Sequence, residues 1–383
     1  MKLISAQIVE HGSELKVEWE HQEPALFHSF WLYDNRQHTD LVDLTTLQKK
    51  TSVLDLDLAM ALSKVDVVND GEAVKVTFDN QENTDSYHFS SRWLYENKPL
   101  DGRNDLINPE HTKVWNGNSF ETLNWCEYAS LNDPKQLQTW LQNINEFGFG
   151  LLRGVPTEST AVCKVAELFG YVRETNYGRY FDVKSQTNPI NLAYTQLGLA
   201  AHTDNPYREP APTLQLLHCL ENSTQGGESI LVDGFYAAQL LRQRDAAAFD
   251  RLAATPIKFH YKDGNQVQLA ALHPMIQLQS NGEIASVYFN NRSIAPISSI
   301  AHHDIPEFYA AYKKFAQLLD DESLAIKFKL APGDLFIVDN RRVLHSRTVF
   351  TSEGVRWLQG CYADVDGLQS TLRSLESLDS SAA

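Results

Sequence analysis

Two side chains, His202 and Asp204, stand one residue apart in this chain and could hold a metal between them. On an extended strand residues i and i+2 face the same way, so an imidazole and a carboxylate at that spacing can reach one ion. A third ligand is available in His345, at the end of Asp339-Asn340-Arg-Arg-Val-Leu-His345. Two imidazoles and one carboxylate on one face of Fe(II) leave coordination positions open, which is the geometry of non-haem iron oxygenases. Arg356 follows His345 by eleven residues, in Gly354-Val-Arg-Trp-Leu-Gln. A guanidinium fork pairs bidentately with a carboxylate, and it can hold the far end of a keto-acid such as 2-oxoglutarate beside the iron. Each piece alone says little, since a strand histidine is usually structural and a single arginine usually lies on the surface. The ordered set is far more specific. A zinc hydrolase would use similar ligands but needs a general base near the metal-bound water, and no glutamate accompanies the motif.

The elements that must position these groups follow from pattern. The chain has 383 residues, 43% hydrophobic and 21% charged, which suits a soluble protein with a sizeable core. Its net charge of −16 argues against nucleic acid or an anionic membrane as partner. No apolar run reaches the length of a membrane span, the N-terminus lacks a signal-like apolar stretch, and the four scattered cysteines fit reduced thiols, so a cytoplasmic location is expected. Residues 1–100 read as a small β-rich domain: Leu15-Lys-Val-Glu-Trp-Glu and Ala73-Val-Lys-Val-Thr-Phe alternate, and Asn69-Asp-Gly71 offers a turn. Asn97 to Glu110, rich in Pro, Gly, Asn and Asp, reads as a linker, with a second domain over 115–383. There, helices are expected from Pro134, over 160–169, near Ala237–Leu241 and over Pro306–Leu319. Strands are expected at Gly148–Gly154, across Ile190–Val232 and on both sides of Pro332-Gly333-Asp334, with a frayed tail after Leu378. No internal repeat is apparent.

Around these residues the sequence resembles the γ-butyrobetaine dioxygenase and trimethyllysine dioxygenase family of Fe(II)/2-oxoglutarate-dependent oxygenases. The resemblance is carried by Asn191-Leu-Ala-Tyr194, His202-Thr-Asp204, Pro212-Thr-Leu-Gln-Leu-Leu-His-Cys219, Gly226-Gly-Glu-Ser-Ile-Leu-Val-Asp-Gly-Phe235, Phe289-Asn-Asn-Arg292, Pro332-Gly-Asp334, Asp339-Asn340 and Gly360-Cys-Tyr362, over roughly 120–370, and by Phe30-Trp-Leu-Tyr-Asp-Asn35. It implies a mainly β protein with flanking helices, in which a double-stranded β-helix, or jelly roll, carries the iron. By the resemblance His202, Asp204 and His345 would bind Fe(II), Arg356 would hold 2-oxoglutarate, and Asn191 and Leu217 would lie beside that co-substrate. Oxidative decarboxylation of 2-oxoglutarate with O2 would then drive hydroxylation of a C–H bond. A trimethylammonium has no N–H to donate, so aromatic faces must recognise it. The family's cage maps onto Tyr177, Phe181, Tyr194 and Tyr362, with Asn290 as an anchor for the substrate's carboxylate. Phe181 stands where relatives often carry Trp, and Asn205 where they often carry Tyr. The resemblance points to γ-butyrobetaine hydroxylation in carnitine biosynthesis, with trimethyllysine or a trimethylammonium alkylphosphonate as the alternative substrate. A jelly-roll metal binder without turnover is the reading from another class, and Arg356 and Asn191 speak against it. The resemblance also suggests a homodimer.

The first domain departs from the family. Its zinc thiolates would fall at Arg36, His38 and Leu41, which cannot replace them, so no zinc is expected there, and His38 and His88 read as surface residues. His218, within an apolar strand, reads as core, and His302-His303 as a solvated cap. Arg179, near the cage residues in sequence, is either solvated or a contact for a strongly charged anion. Cys219 and Cys361 have no neighbouring base that would make either a nucleophile.

Overall fold

A computed structural model describes residues 1–43, 45–79, 84–99, 112–184, 198–264, 266–351 and 353–382. The chain divides into two compact units, Met1–Asp105 and Leu106–Ala383. Most of the expected linker, along with Asn191 and Tyr194, lies outside the described residues. None of the described helices is long and apolar enough to cross a membrane.

The first unit is built twice from one plan, which corrects the expectation of no internal repeat. Strands β1 (Leu3–Val9), β2 (Glu14–Trp19) and β3 (Ala25–His28) form an antiparallel sheet that leads into α1 (Ser29–Asp34). Strands β4 (Ala61–Val68), β5 (Ala73–Asp79) and β6 (Thr84–Ser90) repeat it and lead into α2 (Ser91–Glu96). The core residues correspond in order: Leu15, Val17, Trp19, Phe27 and Leu32 in one copy, Val74, Val76, Phe78, Phe89 and Leu94 in the other, all in one cluster. A side chain on Gly12 would come within 2.9 Å of the Leu62 carbonyl, and one on Gly71 within 2.6 Å of the Leu3 carbonyl. Each turn thus leans on the first strand of the other copy. The duplication is faint in sequence because the copies share little beyond the turn and Trp-Leu-Tyr-(Asp/Glu)-Asn, and a core can be kept by any apolar residue of suitable size.

Arg36, at the first of the expected thiolate positions, is buried between two tyrosines. Its guanidinium carbon lies 3.2 Å from the Tyr33 ring centroid and 4.7 Å from that of Tyr87. It donates to the Tyr33 carbonyl at 2.5 Å and to the Tyr87 hydroxyl at 3.0 Å, tying the segment after α1 to β6. His38 and His88 are exposed.

The second unit is a two-sheet jelly roll with helices outside it. In chain order its elements begin with β7 (Trp125–Glu127), α3 (Pro134–Phe147), β8 (Phe149–Arg153), α4 (Ala161–Ala166), β9 (Val172–Arg173), β10 (Phe181–Lys184), β11 (Leu199–His202), β12 (Leu214–Asn222) and β13 (Ser229–Asp233). Then follow α5 (Gly234–Arg244), α6 (Ala246–Ala254), β14 (Pro256–Asp263), β15 (Val267–Pro274), β16 (Ile276–Leu278), β17 (Ile284–Val287), α7 (Ile305–Leu319), β18 (Ala325–Phe328), β19 (Leu335–Asp339), β20 (Val343–Arg347), β21 (Arg356–Ala363) and α8 (Val365–Ala382). The larger sheet runs β10-β21-β12-β19-β8-β7, with β9 also on β21, and the smaller runs β11-β20-β13-β18.

Alternation along the strands decides which side chains face the space between the sheets and which face the helices. From β12, Leu214 and Leu216 pack outward with Trp140, Leu141 and Ile144 of α3 and Leu368 and Leu372 of α8. Gln215 and Leu217 point the other way, into a cavity between the sheets. On β21 the same phase sends Arg356, Leu358 and Tyr362 into that cavity and Cys361 and Ala363 to the helices. Helix α3 starts as expected, with Asp133 accepting from the Lys135 N–H at 2.9 Å and Pro134 at the first turn. The helix expected over 160–169 is shorter, ending at Ala166, and α6 and α8 were not anticipated. Helix α8 continues to Ala382 where a frayed tail was expected, because Leu368 and Leu372 anchor its first turns in the core.

Candidate active site

His202 ends β11 and His345 lies on the adjacent β20, where the two are directly paired across the ladder. Their rings are 4.3 Å apart. Asp204 follows just after β11, and one ligand atom from each of the three lies within 4.8 Å of the other two. The backbone around Asp204 is clamped by Asn340: its side-chain carbonyl accepts from the Asp204 N–H at 2.7 Å, and its amide donates to the Asp204 carbonyl at 2.9 Å and to that of Pro212 at 2.9 Å. One carboxylate oxygen of Asp204 accepts from Gln215 at 2.6 Å and from the Tyr362 hydroxyl at 2.8 Å. The other lies 3.4 Å from His202 Nε2. His202 Nδ1 sits 2.8 Å from the Ala200 carbonyl, an arrangement that protonates Nδ1 and leaves Nε2 as a lone-pair donor.

These residues fit a divalent iron. Burial works to raise the Asp204 carboxyl, but the polar surroundings of His202 and His345 and the cationic Arg292 outweigh that and hold it well below the usual carboxylate range. Burial, reinforced by His202, pushes His345 down to about 3. Both are therefore in the deprotonated form a metal requires. His345 Nδ1 is buried without a hydrogen-bond partner among the described residues. Burial, together with the Asp204 charge, keeps Tyr362 protonated, as its role of donor to Asp204 demands.

The triad opens on a cavity of about 800 Å³. Of the residues expected around the site, Tyr177, Phe181, Asn205, Leu217, Asn290, Arg356 and Tyr362 all line it. Arg356 is 6% exposed, its Nε has no partner, and no described residue offers it an anion. Burial and the neighbouring Arg347 lower it to about 10, so it stays charged at neutral pH. Gly227 makes room for it: a side chain there would meet Arg356 Cδ and Nε at 3.1 Å. The rings form a continuous wall. Phe181 packs on Tyr362 with centroids 5.1 Å apart, Tyr177 lies 6.2 Å from Phe181 and 5.8 Å from Tyr261, and Tyr261 stacks on Tyr207 at 4.9 Å.

Asn205 adopts a left-handed conformation (φ 56°), which asparagine tolerates better than most residues. Its side-chain carbonyl accepts from the Tyr207 hydroxyl at 2.5 Å, and its amide nitrogen is buried without a partner among the described residues. Asn290 is largely committed already: its amide donates to the Thr203 carbonyl at 3.0 Å and its carbonyl accepts from the Arg292 N–H at 3.1 Å. Arg179 instead forms an exposed ion pair with Glu167 and is not among the cavity residues. His218 is wholly buried and burial lowers it to about 4, as befits a neutral core residue, while burial raises Cys219 to about 12, so that thiol is no nucleophile.

Several residues at the site were not singled out from sequence as contributors. Arg347 could have been found, since it lies two residues after His345 on one strand and must share its face. Tyr207 and Tyr261 carried no such signal, because Tyr261 reaches the wall from β14, more than fifty residues further along the chain.

Residues 117–362 match the taurine catabolism dioxygenase TauD, TfdA family. A γ-butyrobetaine dioxygenase from a Pseudomonas species is 34% identical over 97% of this chain and 96% of its own length. The rat mitochondrial trimethyllysine dioxygenase is 29% identical over 91% of this chain and 82% of its own. The crystal structure of AAD-2 in complex with Mn(II) and N-oxalylglycine superposes with a TM-score of 0.50 at 14% identity, covering 64% of this chain and 96% of that one, a likeness of fold alone. Full-length similarity and a jelly roll that brings His202, Asp204 and His345 together establish that this chain belongs to the TauD, TfdA dioxygenase family, within which it is similar to γ-butyrobetaine and trimethyllysine dioxygenases.

Proposed function

We propose that this dioxygenase is an Fe(II)/2-oxoglutarate-dependent hydroxylase of a small trimethylammonium compound, with γ-butyrobetaine, giving L-carnitine, as the leading substrate. The observation that carries the reading is a buried guanidinium, Arg356, with no anionic partner among the described residues, in the same cavity as the His202, Asp204 and His345 cluster. A buried cation without a counter-charge is unfavourable, and a ligand carboxylate is the partner the site lacks. His202, Asp204 and His345 would hold the iron, which with 2-oxoglutarate and O2 supplies the oxidising power. Arg356 fixes the distal carboxylate of 2-oxoglutarate, with Leu217 against its carbon chain and Asn191 beside it. Tyr362 and Gln215 fix the Asp204 carboxylate from behind and leave its other oxygen for the metal. Tyr177, Phe181, Tyr194 and Tyr362 receive the trimethylammonium, each face contributing roughly 0.5–2 kcal/mol. Asn290, with one N–H left, and Asn205, with its unpartnered amide, orient the remainder of the substrate. Asn191 and Tyr194 enter this assignment from the sequence resemblance. By the same reading the protein works in the cytoplasm as a homodimer.

The deciding experiment is a panel of quaternary amines differing in chain length and anionic end, scored for succinate formation and for hydroxylated product. Hydroxylation coupled to succinate for γ-butyrobetaine, and weaker turnover of trimethyllysine and of trimethylammonium alkylphosphonates, is expected. Coupled turnover restricted to substrates lacking a quaternary nitrogen would refute the cage.

A further inference from the structure

The cavity reverses the sign of the protein. The chain carries a net charge of −16, yet among the described lining residues the Lys and Arg side chains are Lys258, Lys262, Arg292, Arg347 and Arg356, against one carboxylate, Asp204. These cations differ in depth. Arg347 and Arg356 are buried, whereas Lys258 and Lys262 are exposed. Both lysines lie on β14, where Lys258, His260 and Lys262 alternate with the buried Ile257 and Phe259 and so share one face. The Asn290 segment runs alongside: His260 N–H donates to the Ser293 carbonyl at 2.7 Å and Ala295 N–H to the Lys258 carbonyl at 2.9 Å. Arg292, on that segment, is exposed like the lysines, and its field is felt at Asp204, His345 and Arg347. Neither lysine side chain makes an ion pair or hydrogen bond with a described residue. Asp263, the single acid of the β14–β15 ribbon, is not among the cavity-lining residues.

We propose that Lys258 and Lys262 form a cationic collar at the cavity mouth that draws the dianionic co-substrate from solvent toward Arg347 and Arg356. This rests on the reading of 2-oxoglutarate as co-substrate. Solvated ammonium groups hold a ligand weakly, so the collar acts on encounter more than on residence. A cleft lined with one sign of charge raises association rates by about 10- to 1,000-fold, and salt screens the effect beyond a Debye length of about 8 Å at physiological ionic strength. A dianion is steered most, and a net-neutral zwitterion hardly at all. The collar thus offsets the repulsion that a protein of charge −16 exerts on 2-oxoglutarate.

The test is stopped-flow binding of 2-oxoglutarate to the Fe(II)-loaded, anaerobic protein, comparing the unmodified chain, Lys258→Gln/Lys262→Gln and Lys258→Arg/Lys262→Arg from about 20 mM to about 500 mM salt. The Gln pair is expected to associate roughly tenfold more slowly at low salt, with dissociation unchanged and the difference gone at high salt. The Arg pair should behave as the unmodified chain. Equal association rates at low salt, a deficit that persists at high salt, or a change confined to dissociation would overturn the collar. Failure of the unmodified protein to bind 2-oxoglutarate at any salt would instead overturn the co-substrate reading, and the collar with it.

Discussion

Arg356→Met separates an anion anchor from an ordinary buried arginine, because the two roles move apo stability in opposite directions. Methionine keeps much of the side-chain length without the charge. In the folded protein the guanidinium is 6% exposed and lowered from its ordinary value to about 10, chiefly by burial and then by Arg347. The charged form is thus disfavoured by folding, by up to about 3 kcal/mol at 1.36 kcal/mol per pH unit. At pH 7 both folded and unfolded states carry the proton, so this cost is fully present, and it is relieved when the charge is removed. Without ligand, Arg356→Met should melt at the same temperature as the unmodified protein or a few degrees higher. With ligand the order reverses. Removing one partner of a buried, hydrogen-bonded charge pair costs about 2–5 kcal/mol, so 2-oxoglutarate affinity should fall by roughly 30- to several thousand-fold. Stabilisation by added 2-oxoglutarate should vanish with it. Calorimetric titration and thermal melts, each with and without 2-oxoglutarate, read both quantities, and metal binding should change far less. An apo protein destabilised by more than about 2 kcal/mol, with 2-oxoglutarate affinity within fivefold of the original, would show that Arg356 is structural and would refute the reasoning.

Two other perturbations test the aromatic wall and the core. In Gly360→Ala the new methyl would lie 2.5 Å from Phe181 Cζ and 2.6 Å from its Cε2, so that ring must shift, whereas Leu217 Cδ2, at 3.0 Å, need give by only a few tenths of an ångström. KM for a trimethylammonium substrate should rise by about tenfold or more while 2-oxoglutarate affinity stays within a few-fold; equal losses in both would place the damage elsewhere. His218 is held neutral, lowered from 6.5 to about 4 by burial, so its contribution to stability is present above pH 6.5 and is lost as pH falls toward 4. His218→Leu should therefore reduce the loss of unfolding free energy between pH 7 and pH 4.5 by up to about 2.5 kcal/mol in denaturant melts. An unchanged pH dependence would show that this histidine already ionises within the core.

The sequence alone singled out the candidate metal ligands and the candidate anion anchor. His202, Asp204, His345 and Arg356 stand out by type and spacing, because an imidazole and a carboxylate two positions apart can reach one ion and a guanidinium suits a carboxylate wherever the chain brings it. Strong local signals agree with the structure: the Asp133-Pro134 helix start, the Pro332-Gly333-Asp334 turn and the helix over Pro306–Leu319 rest on neighbours within a few residues. The doubled plan of the first unit was not legible, since its copies preserve a pattern of buried positions more than residue identities. Helix α8 was missed because its polar, serine-rich sequence is weakly helical by itself and is fixed by Leu368 and Leu372 docking beside α3. Only the tertiary structure decided that Arg356 is buried with no counter-charge among the described residues, that Tyr362 and Gln215 brace Asp204, and that Tyr261 and two lysines reach the cavity from β14. Those facts depend on which strands lie side by side and on what is withheld from water. Burial and long-range register are properties of the packed sheets, and local sequence spacing does not encode them.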